Sequence, residues 1–279
     1  MDEDRQLISL FAQKAAQIRT EVIRTIHWAQ SGHPGGSLSL VDILCVLYYG
    51  VLRVDPLKPQ DPDRDRLVLS KGHGAPALYC ILADKGFFHP DQLRTLRTPT
   101  SLLQGHPDMK KTPGVDMSSG SLGQGLSIAN GMAMAGKLDG KDYRVFAILG
   151  DGELQEGQIW EAAMTSAHYQ LDNVTAIVDY NRLQLDGTVQ DIMSLGDIQA
   201  KFQSFGWNAL VVDGHDHGQL FHAYKLAAAT KGKPTVIVAQ TVKGKGVSFM
   251  EDRVEWHGQH LDKVHAVAAL QELGGEAHG

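Results

Sequence analysis

The length, composition and charge of the chain are those of an ordinary globular protein. It has 279 residues, of which 43% are hydrophobic and 21% charged, a composition that is not typical of long disordered stretches. The formal net charge of −6 argues against a general nucleic-acid binder, since such a protein needs a basic face to offset the phosphates.

Cysteine usage and the N-terminal sequence point to one cellular compartment. Cys45 and Cys80 lie in apolar runs and are expected to be buried thiols, too few for a disulfide framework. The N-terminus is acidic before it is apolar, the reverse of a secretory signal. The sequence contains no run of about 18 apolar residues, which is the length needed to cross a membrane. The sequence therefore predicts a cytoplasmic protein that does not associate with membranes.

The first part of the chain is predicted to be mainly helical. Apolar residues recur at helical spacing in residues 5–30, and Gly32 is expected to end this helix with a left-handed cap. The next predicted elements are a helix at 39–49, a charged loop at 61–66, a short strand at 67–70 and a helix at 76–85.

From residue 126 onward the pattern alternates between helices and apolar strands. Helices are predicted at 126–138, 158–169, 198–205, 219–229 and 261–273, and strands at 143–149, 174–178, 207–212 and 234–239. This alternation predicts an α/β fold with a mainly parallel sheet and helices on both faces. Without a repeat or linker, residues 1–279 are predicted to form a single domain, with 276–279 as a frayed end.

Polar residues follow two strands that are expected to be neighbours. Asp151 lies between Gly150 and Gly152 after one strand, and Asn181 follows the next. The carboxyl ends of parallel strands meet at one edge of the sheet, so both side chains can face one ligand site. A carboxylate and an amide oxygen suit Mg²⁺ or Ca²⁺, and Mg²⁺ usually adds phosphate oxygens and water. Taken alone, Gly-Asp-Gly is equally compatible with a simple turn cap.

Four histidines lie in turns bounded by glycine or proline, namely His33, His73, His106 and His257. A lone histidine is usually a surface or core residue, but four in such turns indicate a site. Residues 120–125 (GSLGQG) are expected to begin a helix, where free N–H groups suit an anion. His215 and His217 flank an aspartate and could bind a metal, although a solvated loop is favoured because no third ligand is evident.

The turns contain, in chain order, SGHPGGSLS, SKGHGAP, GHP, GSLGQG, GDGELQEG with DYN, VKGKG and EWHG. GDGELQEG followed by DYN looks like a thiamine diphosphate motif, and the whole series resembles the transketolase family. The resemblance runs from about residue 20 to 260 and covers only that family's diphosphate-binding domain. It implies the N-terminal subunit of a split transketolase, with the pyrimidine and C-terminal domains on a partner chain.

The resemblance implies a role for each matched residue. Asp151 and Asn181 would bind Mg²⁺ through their side chains, and Leu183 through its carbonyl. The residues implied at the cofactor are His73, Gly120, Ser121, Leu122, Gly152, Glu156, Asn181, Lys243 and His257. The implied catalytic set is His33, His73, His106 and His257, of which the first and third would face the donor sugar. Glu156 would lie at the contact with the neighbouring subunit.

The implied activity is transfer of a two-carbon ketol unit from a ketose or ketose phosphate to an aldose or aldose phosphate. Thiamine diphosphate and Mg²⁺ (or Ca²⁺ as a substitute) would be the cofactors, and the assembly with the partner would be α₂β₂. Histidines suit proton transfer to sugar hydroxyls because their pKa lies near neutrality. Two alternatives remain: the α subunit of a 2-oxoacid dehydrogenase-type thiamine enzyme, and a non-catalytic binding subunit. The sequence does not name the sugars.

Overall fold

A computed structural model describes residues 2–275, so residues 276–279, expected to fray, lie outside the described part of the chain. The sheet consists of β1 (Arg66–Leu69), β2 (Val145–Gly150), β3 (Val174–Tyr180), β4 (Asn208–Asp213) and β5 (Thr235–Gln240). Its strand order is β1-β2-β3-β5-β4, and every neighbouring pair is parallel.

The helices of the described residues precede the sheet or connect its strands. They are α1 (Asp2–Ala29), α2 (Pro34–Leu38), α3 (Val41–Gly50), α4 (Ala75–Asp84), α5 (Gly125–Leu138), α6 (Gly157–His168), α7 (Val189–Met193), α8 (Ile198–Ser204), α9 (His217–Ala229) and α10 (Lys263–Glu272). Short 3₁₀ helices span Gly72–Gly74, Pro90–Thr95, Gly152–Gln155 and Val254–His257.

Successive residues of each strand enter two different hydrophobic cores, because strand side chains alternate between the faces of a sheet. In β2, Phe146 and Ile148 pack with apolar residues of α1, α3, α4, α9 and α10. Val145, Ala147 and Leu149 enter the other core, with residues of α5, α6 and α8. Helices therefore cover both faces of a parallel sheet, which confirms the predicted fold class.

All helices and strands that the sequence predicts are present, but two short helices were missed. The segment Pro34–Leu38 contains two glycines, which disfavour a helix in isolation, and α7 has only five residues. All five residues of α2 are buried, so tertiary packing overrides their weak intrinsic propensity. Strand β3 also extends beyond its predicted end and includes Asp179, whose carboxylate finds buried partners described below.

The C-terminus of α1 differs from the prediction that Gly32 supplies its left-handed cap. Gln30 takes the left-handed conformation, with φ of 48°, whereas Gly32 is nearly extended at 159°. The His27 carbonyl in the last turn of α1 accepts both the Gln30 backbone N–H at 3.1 Å and the Gln30 Nε2 at 2.6 Å.

Two smaller predictions can be compared directly with the structure. Cys45 and Cys80 are both buried free thiols, as expected. Within residues 2–275, no helix has the length and apolar character needed to cross a membrane.

Two glycines of α5 offer a matched test of its packing. An alanine Cβ at Gly136 would lie 2.8 Å from Cζ of Tyr143, whereas a Cβ at Gly131 meets no atom within 4 Å. We expect Gly136→Ala to lower the free energy of unfolding by about 1–3 kcal/mol through overpacking. Gly131→Ala should raise it by up to about 1 kcal/mol, since alanine loses less backbone entropy. Denaturant unfolding measures both, and equal stabilities would contradict this packing.

Candidate active site

A cavity of about 300 Å³ lies where β2 and β3 end. Its charged and polar lining includes Lys71, His73, Asp151, Asn181, Lys243 and His257. These residues come from turns after four different elements, and the parallel sheet brings the turns to one edge. The predicted meeting of Asp151 and Asn181 at this edge is therefore correct.

Asp151 is a buried carboxylate, only 2% exposed, at the entrance of the Gly152–Gln155 helix. Its Oδ1 accepts a hydrogen bond from the Gly152 N–H at 2.8 Å, and its Oδ2 accepts one from the Arg182 N–H. Asp151 thus caps a turn and also lines the cavity. Burial, together with the nearby charge of Asp179, raises the pKa of Asp151 to about 6. The carboxylate therefore lacks full charge compensation.

The other two predicted metal ligands line the same cavity. The Asn181 Oδ1 accepts a hydrogen bond from the Leu183 N–H at 3.2 Å. The Leu183 carbonyl accepts one from Lys243 Nζ at 2.9 Å. The three residues thus supply one carboxylate, one amide oxygen and one carbonyl oxygen, a donor set that fits a hard divalent cation.

Two buried lysines give the cavity its positive charge. Lys71 Nζ lies 2.5 Å from Asp179 Oδ2, in a fully buried ion pair. Lys243 Nζ instead donates to the Leu183 carbonyl and, at 2.8 Å, to Nδ1 of His257. Among residues 2–275, no carboxylate lies within 4 Å of Lys243. Burial, followed by repulsion from Lys71, lowers the pKa of Lys243 to about 8, so an anion in the cavity would stabilise its charged form.

The four predicted histidines form a cluster. The ring of His33 lies 5.3 Å from that of His73, 5.6 Å from that of His257 and 6.4 Å from that of His106. Burial lowers the pKa of His33 to about 4, that of His257 to about 3 and that of His73 well below its usual range. These three rings are neutral at pH 7, and each can donate from one nitrogen and accept at the other.

The cluster divides between two openings. His73 and His257 line the cavity described above. His106 is exposed and lines a separate, open depression with Gly105 and Asp108. His33 lies between the two sides of the cluster, and its buried Nδ1 has no hydrogen-bond partner within the described residues.

Residues 120–125 only partly match their prediction. Leu122 lines the cavity, as do Gly152 and Glu156, but Gly120 and Ser121 do not. Gly120 packs against His106 instead. Helix α5 begins at Gly125, one residue before its predicted start at 126, and the N–H groups of Gly123 and Gly125 are not free for an anion.

The partners of those N–H groups explain the difference. Gly123 donates to Glu153 Oε1 at 2.9 Å, and Gly125 donates to Ser70 Oγ at 3.1 Å. The same glutamate accepts the Ser70 hydroxyl through Oε1 and, at 2.9 Å, the Gly150 N–H through Oε2. Glu153 is 3% exposed and serves as an internal anchor that the sequence analysis missed, although it directly follows Gly-Asp-Gly.

Two further residues at the site were missed. Lys71, two residues before the glycine-flanked His73, is fully buried, and its position after a predicted strand was the available signal. Arg97 adopts a left-handed φ of 66° and donates to Ser31 Oγ at 2.9 Å. After burial, its charge is the main cause that lowers the pKa of His33 and His106. No sequence motif identifies Arg97.

His215 and His217 do not lie in a solvated loop, so that expectation is wrong. Their side chains are 13% and 14% exposed and bind opposite oxygens of the buried Asp42. Arg19 also binds this carboxylate and compensates its charge. The buried Asp42 is therefore the hydrogen-bond partner of both histidines, and no metal is needed to explain their position.

Comparison with known proteins supports the interpretation of the site. Residues 11–278 match the family described as "Transketolase, thiamine diphosphate binding domain". The 6-deoxy-6-sulfo-D-fructose transketolase subunit SqwG of a Clostridium species is 45% identical, over 93% of this chain and 94% of its own length. An apulose-4-phosphate transketolase subunit of Phocaeicola vulgatus is 42% identical, over 86% and 85% of the two chains.

Longer transketolases match over less than half of their length. The transketolase of Campylobacter jejuni superimposes with a TM-score of 0.88 at 31% identity, covering 98% of this chain and 44% of that one. The human transketolase is 41% identical over 97% of this chain and 43% of its own length.

The parallel sheet and the cavity at its carboxyl edge define an α/β protein of the thiamine diphosphate-binding class. Within that class, the chain belongs to the transketolase family and carries its thiamine diphosphate binding domain. The resemblance seen in the motifs is thereby confirmed, and it favours transketolase over a 2-oxoacid dehydrogenase subunit.

Proposed function

We propose that this chain is the cofactor-binding subunit of a two-chain transketolase that transfers a two-carbon ketol unit from a ketose or ketose phosphate to an aldose or aldose phosphate. The observation that carries the proposal is one cavity that combines buried ammonium groups with metal-type oxygen ligands, beside four clustered histidines. Two relatives named as transketolase subunits, which match over most of their length, support a divided enzyme.

The cavity fits the diphosphate of the cofactor with a divalent cation. Lys243 has no carboxylate partner within the described residues, and an anionic diphosphate would supply its counter-charge. Gly36 keeps the approach open, since a Cβ there would lie 3.3 Å from the His73 ring. Mg²⁺ bound by Asp151, Asn181 and the Leu183 carbonyl would compensate the buried carboxylate and the phosphate charge. When bound, the thiazolium ring of thiamine diphosphate supplies the electron sink for carbon–carbon cleavage.

The four histidines would have two different roles, which depend on where each ring lies. His73 and His257 line the cavity and would donate hydrogen bonds to the diphosphate and hold the cofactor. His106 lines the open depression, with the His33 ring 6.4 Å away, and these two would bind sugar hydroxyls and move protons on and off their oxygens. Because burial keeps His33 neutral at pH 7, its ring can accept a hydrogen bond at one nitrogen and donate one from the other.

Substitution of one histidine from each side tests this division. We expect His257→Ala to weaken the affinity for thiamine diphosphate, because it removes a cavity-lining donor. His106→Ala should leave that affinity nearly unchanged and lower turnover by about 10²–10⁴, or raise the KM of the donor sugar, because it removes a proton-transfer group. Calorimetry and steady-state kinetics separate the two effects. An effect of His106→Ala on cofactor affinity alone would refute the placement of His106 at the sugar.

The metal site has a sharper test in Asp151. We expect Asp151→Ala to abolish Mg²⁺-dependent binding of thiamine diphosphate and to keep the fold, because it removes an undercompensated buried carboxylate. Calorimetry on the chain co-purified with its partner measures the affinity, and circular dichroism checks the fold. Asp91→Ala, at an 80% exposed side chain, is the matched control. Undiminished affinity in Asp151→Ala would remove this residue from the site.

The proposal includes a partner chain that carries the pyrimidine and C-terminal domains, in an α₂β₂ assembly, while this chain forms one diphosphate-binding domain. The exposed apolar residues Ile128 and Met164 belong to α5 and α6, which pack on the same side of the sheet, and Glu156 at the cavity rim is also exposed. A face of this kind suits an obligate partner, whose interface resembles a divided core. The cytoplasmic location stays a prediction from the sequence.

We expect the chain alone to be inactive with a ketose donor, an aldose acceptor, thiamine diphosphate and Mg²⁺, and the co-expressed partner to restore transfer. The reason is that the family's catalytic glutamate, by resemblance, belongs to the pyrimidine domain. Met164→Glu should abolish partner binding, whereas Val264→Glu on α10, at a 76% exposed position, should not. Co-purification and the transfer assay measure both effects. Substantial transfer by the isolated chain would contradict the divided enzyme.

A further inference from the structure

The segment that carries Lys243 into the cavity is held by a side chain from another part of the molecule. After β5 ends, the Thr241 N–H donates to the Tyr180 carbonyl at 3.1 Å, which continues the pairing with β3. The next N–H, that of Val242, donates to Nε2 of His215 at 2.8 Å. His215 follows β4 and does not line the cavity. The residue directly before Lys243 is therefore held by an imidazole, while the residue after it, Gly244, donates to the Gly35 carbonyl at 3.0 Å.

The hydrogen bond from Val242 determines the tautomer of His215. Since Nε2 accepts the backbone N–H, the ring hydrogen lies on Nδ1. The Nδ1–H donates to Asp42 Oδ2 at 2.6 Å. This arrangement requires a neutral imidazole, because a doubly protonated ring has no acceptor for Val242. The carboxylate of Asp42 thus orients the ring so that Nε2 faces Val242.

Asp42 is itself firmly held. It is 2% exposed, and its Oδ1 accepts a hydrogen bond from His217 Nε2 at 2.8 Å. Arg19 binds its other oxygen. Burial alone would raise the pKa of Asp42, but the hydrogen bonds of His215 and His217 and the charge of Arg19 lower it well below its usual range. The carboxylate is therefore ionised at neutral pH and available to orient His215.

We infer that His215 is a positioning residue of the cofactor site, which acts through the Val242 N–H to hold Lys243 in the cavity. The role rests on the proposed function, because it assumes that Lys243 binds the cofactor diphosphate. His217 shares the same carboxylate and has nearly the same burial, but it makes no hydrogen bond to residues 241–243. Substitutions of the two histidines can therefore distinguish an effect on the position of Lys243 from an effect on the stability of the Asp42 cluster.

Substitution by asparagine isolates the contact with Val242. His215→Asn keeps a side-chain amide near the Nδ1 position, which can still donate to Asp42, and loses the acceptor at Nε2. His215→Gln keeps an acceptor near the Nε2 position and is the rescue variant. His217→Asn is the matched control, because it removes one donor from Asp42 and leaves Val242 bound. Thermal unfolding of all three full-length variants measures the loss of stability that follows from changing the contacts of Asp42.

Amide hydrogen exchange tests the contact directly and needs no cofactor. We expect exchange at Val242 to accelerate by about tenfold or more in His215→Asn, and to remain near the wild-type rate in His215→Gln and His217→Asn. Unchanged exchange in His215→Asn, or equal acceleration in His217→Asn, would overturn the inference.

Calorimetry with thiamine diphosphate and Mg²⁺, on the chain with its co-expressed partner, tests the consequence for the site. His215→Asn should weaken affinity by about three- to tenfold, the effect of one lost hydrogen bond, with His217→Asn within twofold of wild type. Unchanged affinity in His215→Asn would overturn the positioning role. Absence of binding by the wild-type protein would refute the proposed function and with it this role, while the exchange data would still decide whether His215 holds Val242.

Discussion

A buried ion pair between Lys71 and Asp179 joins the segments on which the site is built. The carboxylate also accepts hydrogen bonds from Ser39 at 2.6 Å and from Thr241. Lys71 follows β1, Asp179 lies near the end of β3, Ser39 follows α2 and Thr241 follows β5. One carboxylate therefore links four separate parts of the chain. In a low-dielectric interior such a pair is tolerated only when every charge and hydroxyl is satisfied, because each desolvated ion costs several kcal/mol. The segments can therefore adopt few other arrangements.

The same packing sets the electrostatics of the cavity. Carboxylates close to the site are engaged internally, since Asp179 is held by Lys71 and Glu153 is held by backbone N–H groups and Ser70. Asp151 is a buried carboxylate with incomplete compensation, and Glu156 at the cavity rim is exposed. Burial also lowers the pKa of His33 and His257 and keeps these imidazoles neutral, so they can donate and accept hydrogen bonds without adding to the positive charge of the lysines. The positively charged lysines and the neutral histidines of the site thus both owe their state to burial.

The sequence predicted those parts of the candidate site in which a short motif follows a strand of a parallel sheet. Asp151 and Asn181 follow adjacent parallel strands, and the geometry of such sheets brings strand ends together whatever the loops contain. The cluster of four histidines was likewise anticipated from their turns and from the family resemblance. The prediction of free N–H groups in this segment is wrong at Gly123 and Gly125, because the buried Glu153, thirty residues away, accepts the Gly123 N–H and Ser70 accepts the Gly125 N–H. No local pattern announces such a partner.

Hydrophobic periodicity alone determined the order of helices and strands, the parallel sheet and the coverage of both its faces, because the period of a segment records which of its sides is buried. The tertiary structure decided which distant groups meet. Asp179 lies in the buried end of β3, where Lys71 compensates its charge, and His215 is largely buried, where Asp42, 173 residues away along the chain, accepts its hydrogen bond. Burial of a polar group is stable only with a specific partner, and that partner is supplied by the fold rather than by neighbouring residues in the sequence.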